Sequence, residues 1–326
     1  MQPIRLGTWP TPLEAAPRLA QTVGLDPADL RLKRDDLSGL GGGGNKVRKL
    51  EWTCAAAVAD GARTLVTSGA AQSNHARLTA AAGARLGLDV VLVLAGAPNH
   101  AAAGNLALDG LFGAQVVWAG AVDEVQLAGR AAAIADDLRR AGAAPFLVPF
   151  GGSTPLAAEG YAECGRELLR QLPDISTVVV AVGSGATMAG LVSVLGPERV
   201  VGVHCGAISD PRTAVAGLVP RQRCVHRSWR STPRRRAGRR GLRSAHRCGD
   251  AGDADRGADR GDSPRPYLYR SRPGWINRGR RGRRDPPGER TVLLHTGGMP
   301  GLFGHPEGVR RALIELSERS SGAASR

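Results

Sequence analysis

The sequence predicts an α/β protein whose mostly parallel sheet is covered by helices on both faces. Short apolar runs with strand character alternate with longer Ala/Leu-rich segments whose apolar residues recur at helical spacing. The polar and glycine-rich stretches follow the strand-like runs, and ligands of such sheets bind at the carboxyl ends of strands. A chain of 326 residues is long enough for one large or two medium domains. This pattern is typical of α/β enzymes.

The strands and helices are predicted from this alternation. The strands lie at residues 31–37, 64–67, 89–94, 115–118, 146–149, 177–182, 200–204 and 291–294. The helices lie at residues 73–86, 101–111, 122–141, 155–172 and 186–195, and a final helix begins at Pro306. One more helix is predicted to open at the capping box Thr11-Pro12-Leu13-Glu14 and to end near Gly24. Strands and helices of these lengths form βαβ units.

The net charge of +15 comes from one segment. Residues 221–290 contain 22 arginines and seven acidic residues, so the remainder of the chain is balanced. An arginine-rich segment that binds nucleic acid is one interpretation. The segment shows no helical basic stripe, however, and the balanced remainder is that of an ordinary soluble enzyme. We therefore expect no nucleic-acid partner.

The cysteines and the apolar runs predict a cytoplasmic protein. The five cysteines are odd in number and share no metal-ligand spacing, which fits a reducing compartment and no metal site. There is no run of about eighteen apolar residues and no basic-then-apolar secretion signal, so we expect no membrane partner.

A glycine-rich loop leads to one of the few lysines of the chain. Gly41-Gly42-Gly43-Gly44-Asn45-Lys46 can bring a ligand close to the main chain, and Asn45 suits the N-cap of a helix that begins at Lys46. Only three of the 44 basic residues are lysines: Lys33, Lys46 and Lys49. A lysine whose ammonium is neutralised can form an imine with a carbonyl cofactor, whereas an arginine cannot. The alternative is that Lys46 is a counter-ion for a phosphate or carboxylate at a helix N-terminus.

Three more loops follow predicted strands. Ser73, Asn74 and His75 offer a hydroxyl, an amide and an imidazole at a helix N-terminus, although an N-cap serine beside a solvated histidine is the alternative. The run Gly183, Ser184, Gly185, Ala186 and Thr187 provides successive backbone N–H groups and two hydroxyls, which make a phosphate nest. Thr296 follows the last predicted strand. The alternative is that this stretch is only a turn that ends the strand. Together these loops and Lys46 describe a phosphorylated, aldehyde-bearing cofactor, of which pyridoxal 5'-phosphate is the common example.

Five collinear runs resemble one known family. They read G-G-N-K-V-R-K-L-E, S-G-A-A-Q-S-N-H-A-R, V-P-F-G-G-S, G-S-G-A-T-M-A-G-L and H-T-G-G-M-P-G-L-F. The chain resembles the D-cysteine desulfhydrase / 1-aminocyclopropane-1-carboxylate deaminase family over residues 5–219 and again at about 288–305. The resemblance implies the tryptophan-synthase-β-like fold (fold type II) with two open, twisted, mostly parallel sheets flanked by helices. It implies a large cofactor-binding domain of residues 1–44 and 154–326 and a small domain of residues 45–153.

The resemblance also implies roles for the loop residues. Lys46 would bind the cofactor aldehyde as an imine and later move protons, while Asn74 would bond the ring hydroxyl. Ser73 would lie beside the substrate as base, nucleophile or carboxylate donor, and His75 would either tune Ser73 or serve in packing or capping. Residues 183–187 would hold the phosphate. Thr296 would face the pyridine nitrogen and leave it largely unprotonated.

The expected reaction is a lyase or deaminase reaction on a small amino acid. D-cysteine, converted to pyruvate, ammonia and hydrogen sulfide, is the leading substrate, because a neutral group at the ring nitrogen suits the loss of a good leaving group. Deamination of 1-aminocyclopropane-1-carboxylate, L-cysteate sulfo-lyase and racemase activities remain alternatives, and an inactive cofactor-binding remnant is the non-enzyme alternative. A homodimer is expected.

The resemblance is interrupted at residues 221–287, which are predicted to be irregular. Only four large aliphatic residues are present there, too few to offset the entropy of ordering about seventy residues. The family motif L-D-P-x-Y-T-G is missing, and Tyr267 and Tyr269 are not its tyrosine. Read one nucleotide later with GC-rich codons, residues 262–272 can encode T-L-L-D-P-I-Y-T-G-R. We hypothesise that this segment is translated out of frame, which resequencing of the gene would test.

Overall fold

A computed structural model describes residues 1–98, 103–220, 288–305, 307, 309, 310 and 314, together with the backbone of residues 267–270. The strands of this part of the chain are β1 (Leu13–Ala15), β2 (Leu30–Arg34), β3 (Thr64–Ala70), β4 (Asp89–Ala95), β5 (Gln115–Trp118), β6 (Pro145–Val148), β7 (Ile175–Val182), β8 (Val200–His204), β9 (Tyr267–Arg270) and β10 (Arg290–His295). The helices are α1 (Pro17–Thr22), α2 (Lys46–Ala59), α3 (Asn74–Leu86), α4 (Asn105–Leu111), α5 (Glu124–Arg140), α6 (Pro155–Gln171), α7 (Ala186–Leu195), α8 (Pro211–Leu218) and α9 (Met299–Phe303). Short 3-10 turns occur at Asp35–Leu37, Leu40–Gly42 and Phe150–Gly152.

The strands form two open sheets. The larger sheet has the order β1-β2-β10-β7-β8-β9, parallel from β2 to β8 and antiparallel at its two edges. The smaller sheet has the order β5-β4-β3-β6 and is parallel throughout. The predicted α/β fold with mostly parallel open sheets is therefore confirmed. The segments that follow β2, β3, β7 and β10 carry the predicted site residues.

Helices cover these sheets through three main apolar clusters. In the larger sheet, β7, β8 and β10 pack against α6 and α7, with Tyr161 and Leu191 fully buried. In the smaller sheet, α2 and α3 cover one face and α5 covers the other. Burial on both faces explains why the strands read as continuous apolar runs rather than as alternating ones.

The N-terminal segment differs from the prediction. Leu13–Ala15 is a strand paired antiparallel with β2, and the helix that follows begins only at Pro17. Thr11 does not cap a helix; its hydroxyl donates to Asp35 Oδ1 at 2.8 Å. Pairing with the sheet edge, a long-range contact, overrides the local capping signal.

Residues 221–287 were predicted to be irregular, and Tyr267–Arg270 depart from that prediction. This segment forms β9, whose β-forming Tyr-Leu-Tyr sequence pairs with the open edge of β8. The rest of the segment, with its hypothetical change of frame, lies outside the described residues. So does most of the helix predicted from Pro306, while α9 begins earlier, at Met299. The predicted helix at 101–111 begins at Asn105.

The two sheets divide along the sequence much as the predicted domains do. Every strand of the smaller sheet lies between Thr64 and Val148, and every strand of the larger sheet lies outside that range. The domain boundaries themselves stay a prediction. In the part of the chain that the structure describes, none of the helices has the length and apolar character needed to cross a membrane.

Candidate active site

A cavity of about 230 Å³ collects most of the predicted site residues. It is lined by the start of α2, the start of α3, the carboxyl end of β7, the first turn of α7 and the loop after β10. The lining residues are Asn45, Lys46, Lys49, Asn74, Ala181, Val182, Gly183, Ser184, Gly185, Thr187, Met188, Cys205 and Thr296. Residues from five separate segments of the sequence, the fifth being Cys205 after β8, therefore line one space.

Lys46 enters this cavity from the first position of α2. The glycines before it have positive φ values, and at Gly43 (φ 71°) an added Cβ would lie 1.9 Å from the carbonyl oxygen of Asp36. The backbone path that delivers Lys46 is therefore open only to glycine at this point. Burial lowers the pKa of Lys46 to about 8, with a smaller opposing effect from Cys205. A substantial fraction of the amine is neutral just above neutral pH, which is the form that attacks a carbonyl carbon.

Asn45 does not have the predicted capping role. Its backbone is helical and its side chain makes no capping bond; instead Nδ2 donates to Thr187 Oγ1 at 3.0 Å. The backbone N–H of Asn45 donates to the carbonyl oxygen of Thr296 at 3.0 Å. Tertiary contacts with α7 and with the loop after β10 thus replace the local cap.

The nest at residues 183–187 forms another part of the cavity wall. Within the described residues, the backbone N–H groups of Gly185, Ala186 and Thr187 have no acceptor, and the first turn of α7 contains no acidic residue. Ala186, also predicted for this nest, is fully buried and does not line the cavity. Ser184 Oγ lies 2.6 Å from Ser153 Oγ. Open N–H donors at the positive end of a helix dipole bind an anion such as phosphate.

Asn74 and Thr296 are neutral polar residues of the same cavity wall. Asn74 Oδ1 accepts a hydrogen bond from Asn105 Nδ2 at 3.0 Å, which leaves Asn74 Nδ2 without an acceptor among the described residues. Thr296 lines the cavity, and its carbonyl oxygen accepts a hydrogen bond from the backbone N–H of Asn45. An amide donor and a hydroxyl are available to a flat polar ring at this position.

Ser73 and His75 lie next to the cavity but do not line it. Ser73 is the N-cap of α3, since its Oγ accepts from the N–H of Ala76 at 3.1 Å. The alternative interpretation, in which His75 is solvated, is wrong. The side chain of His75 is buried, and its Nε2 lies 2.9 Å from Thr67 Oγ1. Burial, together with the charges of Lys46 and Lys49, holds the pKa of His75 well below its usual value. No hydrogen bond joins His75 to Ser73 in the described residues, and their contact with a substrate stays a prediction.

Lys49 is a site residue that the sequence analysis did not assign. It is buried, and its Nζ donates to Gly151 O at 3.3 Å and to Ser153 Oγ at 3.2 Å. Burial, and secondarily the charge of Lys46, lowers its pKa well below the usual value. The signal was present in the sequence: Lys46 and Lys49 are three apart on one helix, and side chains at that spacing share a face.

The groups that line the cavity fit a phosphorylated carbonyl cofactor. Two lysines line the cavity, and none of its lining residues is a carboxylate. The anion nest, the Lys46 amine with its lowered pKa, and the polar side chains of Asn74 and Thr296 are groups of the kind that suit the phosphate, the aldehyde and the ring of pyridoxal phosphate. Fold and site together define a class, the cofactor-dependent α/β enzymes that hold an aldehyde cofactor through a lysine.

Comparison with known proteins gives the family. The pyridoxal-phosphate dependent enzyme family matches residues 4–245. The chain is 44% identical over 190 residues to D-cysteine desulfhydrase from Klebsiella pneumoniae subsp. pneumoniae, covering 56% of each chain. It is 39% identical over 216 residues to a protein of Pyrococcus horikoshii provisionally named 1-aminocyclopropane-1-carboxylate deaminase, covering 65% of each. The chain therefore matches less than two thirds of the length of either relative.

A solved structure agrees with this result. The crystal structure of a homologue of 1-aminocyclopropane-1-carboxylate deaminase superposes with a TM-score of 0.62 and 36% sequence identity, covering 67% of each chain. The protein belongs to the pyridoxal-phosphate-dependent enzyme family and has its fold type II architecture. Its cofactor is pyridoxal 5'-phosphate.

Proposed function

We propose that this protein is a lyase that acts on a small amino acid, with D-cysteine as the leading substrate and pyruvate, ammonia and hydrogen sulfide as products. The observation that carries the proposal is the cavity that joins Lys46 to the anion nest at residues 183–187. Relatives named D-cysteine desulfhydrase support the desulfhydrase reaction, and relatives named for 1-aminocyclopropane-1-carboxylate deamination keep that reaction as the second candidate.

Each side of the cavity would hold one part of the cofactor. Lys46 Nζ would carry the aldehyde carbon, and the N–H groups of residues 185–187 would bind the phosphate. Lys49 is hydrogen-bonded to the Ser153 hydroxyl that meets Ser184. A phosphate bound beside it would favour its protonated form and so give it a positive charge. Asn74 Nδ2 would donate to the ring hydroxyl, and the Thr296 hydroxyl would face the ring nitrogen.

The protein side chains then move protons and orient the substrate. When bound, pyridoxal phosphate withdraws electrons from the carbon next to the substrate amine. Lys46 Nζ, whose pKa burial has lowered to about 8, is the group that can take a proton from that carbon and return one. Ser73, at the N-terminus of α3, would orient the substrate carboxylate beside the positive end of the helix dipole.

The uncharged hydroxyl of Thr296 favours substrates with a good leaving group. A hydroxyl does not keep the ring nitrogen protonated as a carboxylate would, so electron withdrawal is moderate. Loss of hydrosulfide from the β-carbon of cysteine needs less carbanion stabilisation than the opening of a cyclopropane ring. D-cysteine is therefore the first substrate to test and 1-aminocyclopropane-1-carboxylate the second.

The experiment uses the full chain incubated with pyridoxal phosphate and then reduced with borohydride. Peptide mass spectrometry should find the reduced cofactor on Lys46 and not on Lys33, which is buried elsewhere. Hydrogen sulfide release is then measured with D-cysteine and L-cysteine, and keto acid release with 1-aminocyclopropane-1-carboxylate. Absence of label on Lys46 would refute the cofactor site. Label without hydrogen sulfide release from D-cysteine would refute only the substrate and point to another substrate or an inactive remnant.

A further inference from the structure

Asn105, the first residue of α4, is buried behind Asn74 and does not line the cavity. Its side-chain Nδ2 donates to the backbone carbonyl oxygen of Gln72 at 2.7 Å and to Asn74 Oδ1 at 3.0 Å. Its own N–H donates to Gln72 Oε1 at 2.9 Å. Asn105 therefore joins α4 to the residues that open α3.

These hydrogen bonds determine which end of the Asn74 amide faces the cavity. A backbone carbonyl can only accept, so the side-chain atom of Asn105 next to Gln72 O must be the amide nitrogen. The other hydrogen of that nitrogen points to Asn74, where only an oxygen can accept it. Asn74 must then turn its own nitrogen, a donor, toward the cavity.

The arrangement is held in place and is not explained by packing alone. Gln72 Nε2 donates to Ala103 O at 2.9 Å, which fixes the chain just before α4. Gly104 has φ +67°, and an added Cβ would lie 2.6 Å from both Pro300 O and Gly304 N. Asn105 Oδ1 has no hydrogen-bond partner in the described residues although it is buried. An unsatisfied buried oxygen lowers stability, so an apolar residue would serve packing better.

We propose that Asn105 is a positioning residue that keeps the Asn74 amide in the orientation that donates to the cofactor ring. This inference rests on the proposed function, because it assigns a partner to the ring-binding group of that same cavity. Without Asn105 the Asn74 amide is free to rotate by 180° and present its oxygen to the ring oxygen, which only accepts hydrogen bonds when it is ionised, so that two acceptors would repel.

The test is a double-mutant cycle read as the dissociation constant of pyridoxal phosphate, with no turnover involved. Asn105→Asp is almost the same size but only accepts hydrogen bonds when ionised, so Asn74 should turn its nitrogen away from the cavity. We expect binding to weaken by at least about tenfold, the range for a lost hydrogen bond to a charged group. In an Asn74→Ala background the same change should weaken binding by less than about twofold, because the two residues act as a unit.

Thermal melting of each variant without cofactor shows whether it is folded. If Asn105→Asp is not folded, Asn105→Ala replaces it in the double-mutant cycle. With Asn105→Ala we expect a smaller loss that again disappears in the Asn74→Ala background. An equal loss in both backgrounds, or unchanged affinity in the Asn105 variants, would overturn this inference while leaving the proposed function intact. A parent protein that binds no pyridoxal phosphate and takes no borohydride label on Lys46 would overturn both.

Discussion

Asn45 Nδ2 donates a hydrogen bond to Thr187 Oγ1 across 142 positions of sequence, at a distance of 3.0 Å. Asn45 is the residue before Lys46, and Thr187 is in the first turn of α7. The bond therefore connects the segment that bears the Lys46 amine to the glycine-rich nest at residues 183–187. The separation between amine and nest is set by a tertiary contact and not by the sequence spacing within either motif.

Thr187→Val should test this connection. Valine has nearly the same shape but leaves Asn45 Nδ2 without its acceptor and removes a hydroxyl from the cavity wall. We expect pyridoxal phosphate to bind about tenfold more weakly, in the range for a hydrogen bond to a charged group. Absorbance titration measures the affinity. Thr213→Val in α8, where the residue is exposed, is the control and should bind normally. Equal affinities in the two variants would contradict this role.

Lys49→Met removes a buried amine while keeping an unbranched side chain. If Lys49 contributes charge on the phosphate side, cofactor affinity should fall by about tenfold or more, since charge-assisted bonds are the stronger ones. Borohydride should still fix the remaining bound cofactor on Lys46. The exposed Arg166→Met in α6 is the matched control for loss of one positive charge. Unchanged affinity in Lys49→Met would show that Lys49 has a packing role only.

Gly43→Ala tests the glycine loop. Both Gly43 (φ +71°) and Gly61 (φ +72°) are left-handed, but only at Gly43 does an added Cβ meet backbone, 1.9 Å from Asp36 O. We expect Gly61→Ala to lower the free energy of unfolding by about 1 kcal/mol, the cost of the conformation alone. Gly43→Ala should lower it by more than about 4 kcal/mol or prevent folding, because backbone must move. Urea unfolding compares the two, and similar losses would be inconsistent with the described loop.

Glu167→Gln tests the buried ion cluster behind α2. Glu167 pairs with Lys33 and with Arg48, whose Nη1 lies 3.0 Å from Glu167 Oε2, and both cations are buried. Neutralising Glu167 leaves buried positive charge uncompensated, so we expect a loss of about 3–5 kcal/mol in unfolding free energy. Glu163→Gln, one helical turn earlier and exposed beside Arg166, should cost less than about 1 kcal/mol. Equal effects would argue against a buried pair.

Asp109 should make stability depend on pH. Burial raises its pKa to about 7, partly offset by Arg77, and neither carboxylate oxygen has a hydrogen bond in the described residues. Because the pKa is raised in the folded state, stability falls as pH rises from about 4 to 7 and levels off above. Asp109→Asn removes this loss. The stability of the variant relative to the parent should therefore rise by about 2 kcal/mol between pH 5 and pH 8, measured by chemical unfolding. A constant difference across that range would refute it.

Periodicity predicted most of the elements because a buried parallel strand leaves a continuous apolar run whatever its partners are. The strands Gln115–Trp118 and Val200–His204 and the helix Ala186–Leu195 have the predicted bounds. The prediction failed at residues 11–24, where a capping signal and an edge-strand pairing compete for the same residues. The outcome of this competition depends on β2, which pairs with these residues in space but lies too far along the sequence for a local pattern to include it.

The sequence by itself determined the types of group in the site: a scarce lysine after four glycines, a nest with two hydroxyls, and an amide at a helix N-terminus. These follow from chain geometry at short range, where glycine, capping and helix-dipole rules apply. Only the tertiary structure decided that Asn45 reaches Thr187, that Lys49 shares the cavity, and that Asn105 orients Asn74. Those contacts join residues far apart in sequence, and their hydrogen bonds exist only once the packing of helices and sheets has brought the partners within about 3 Å.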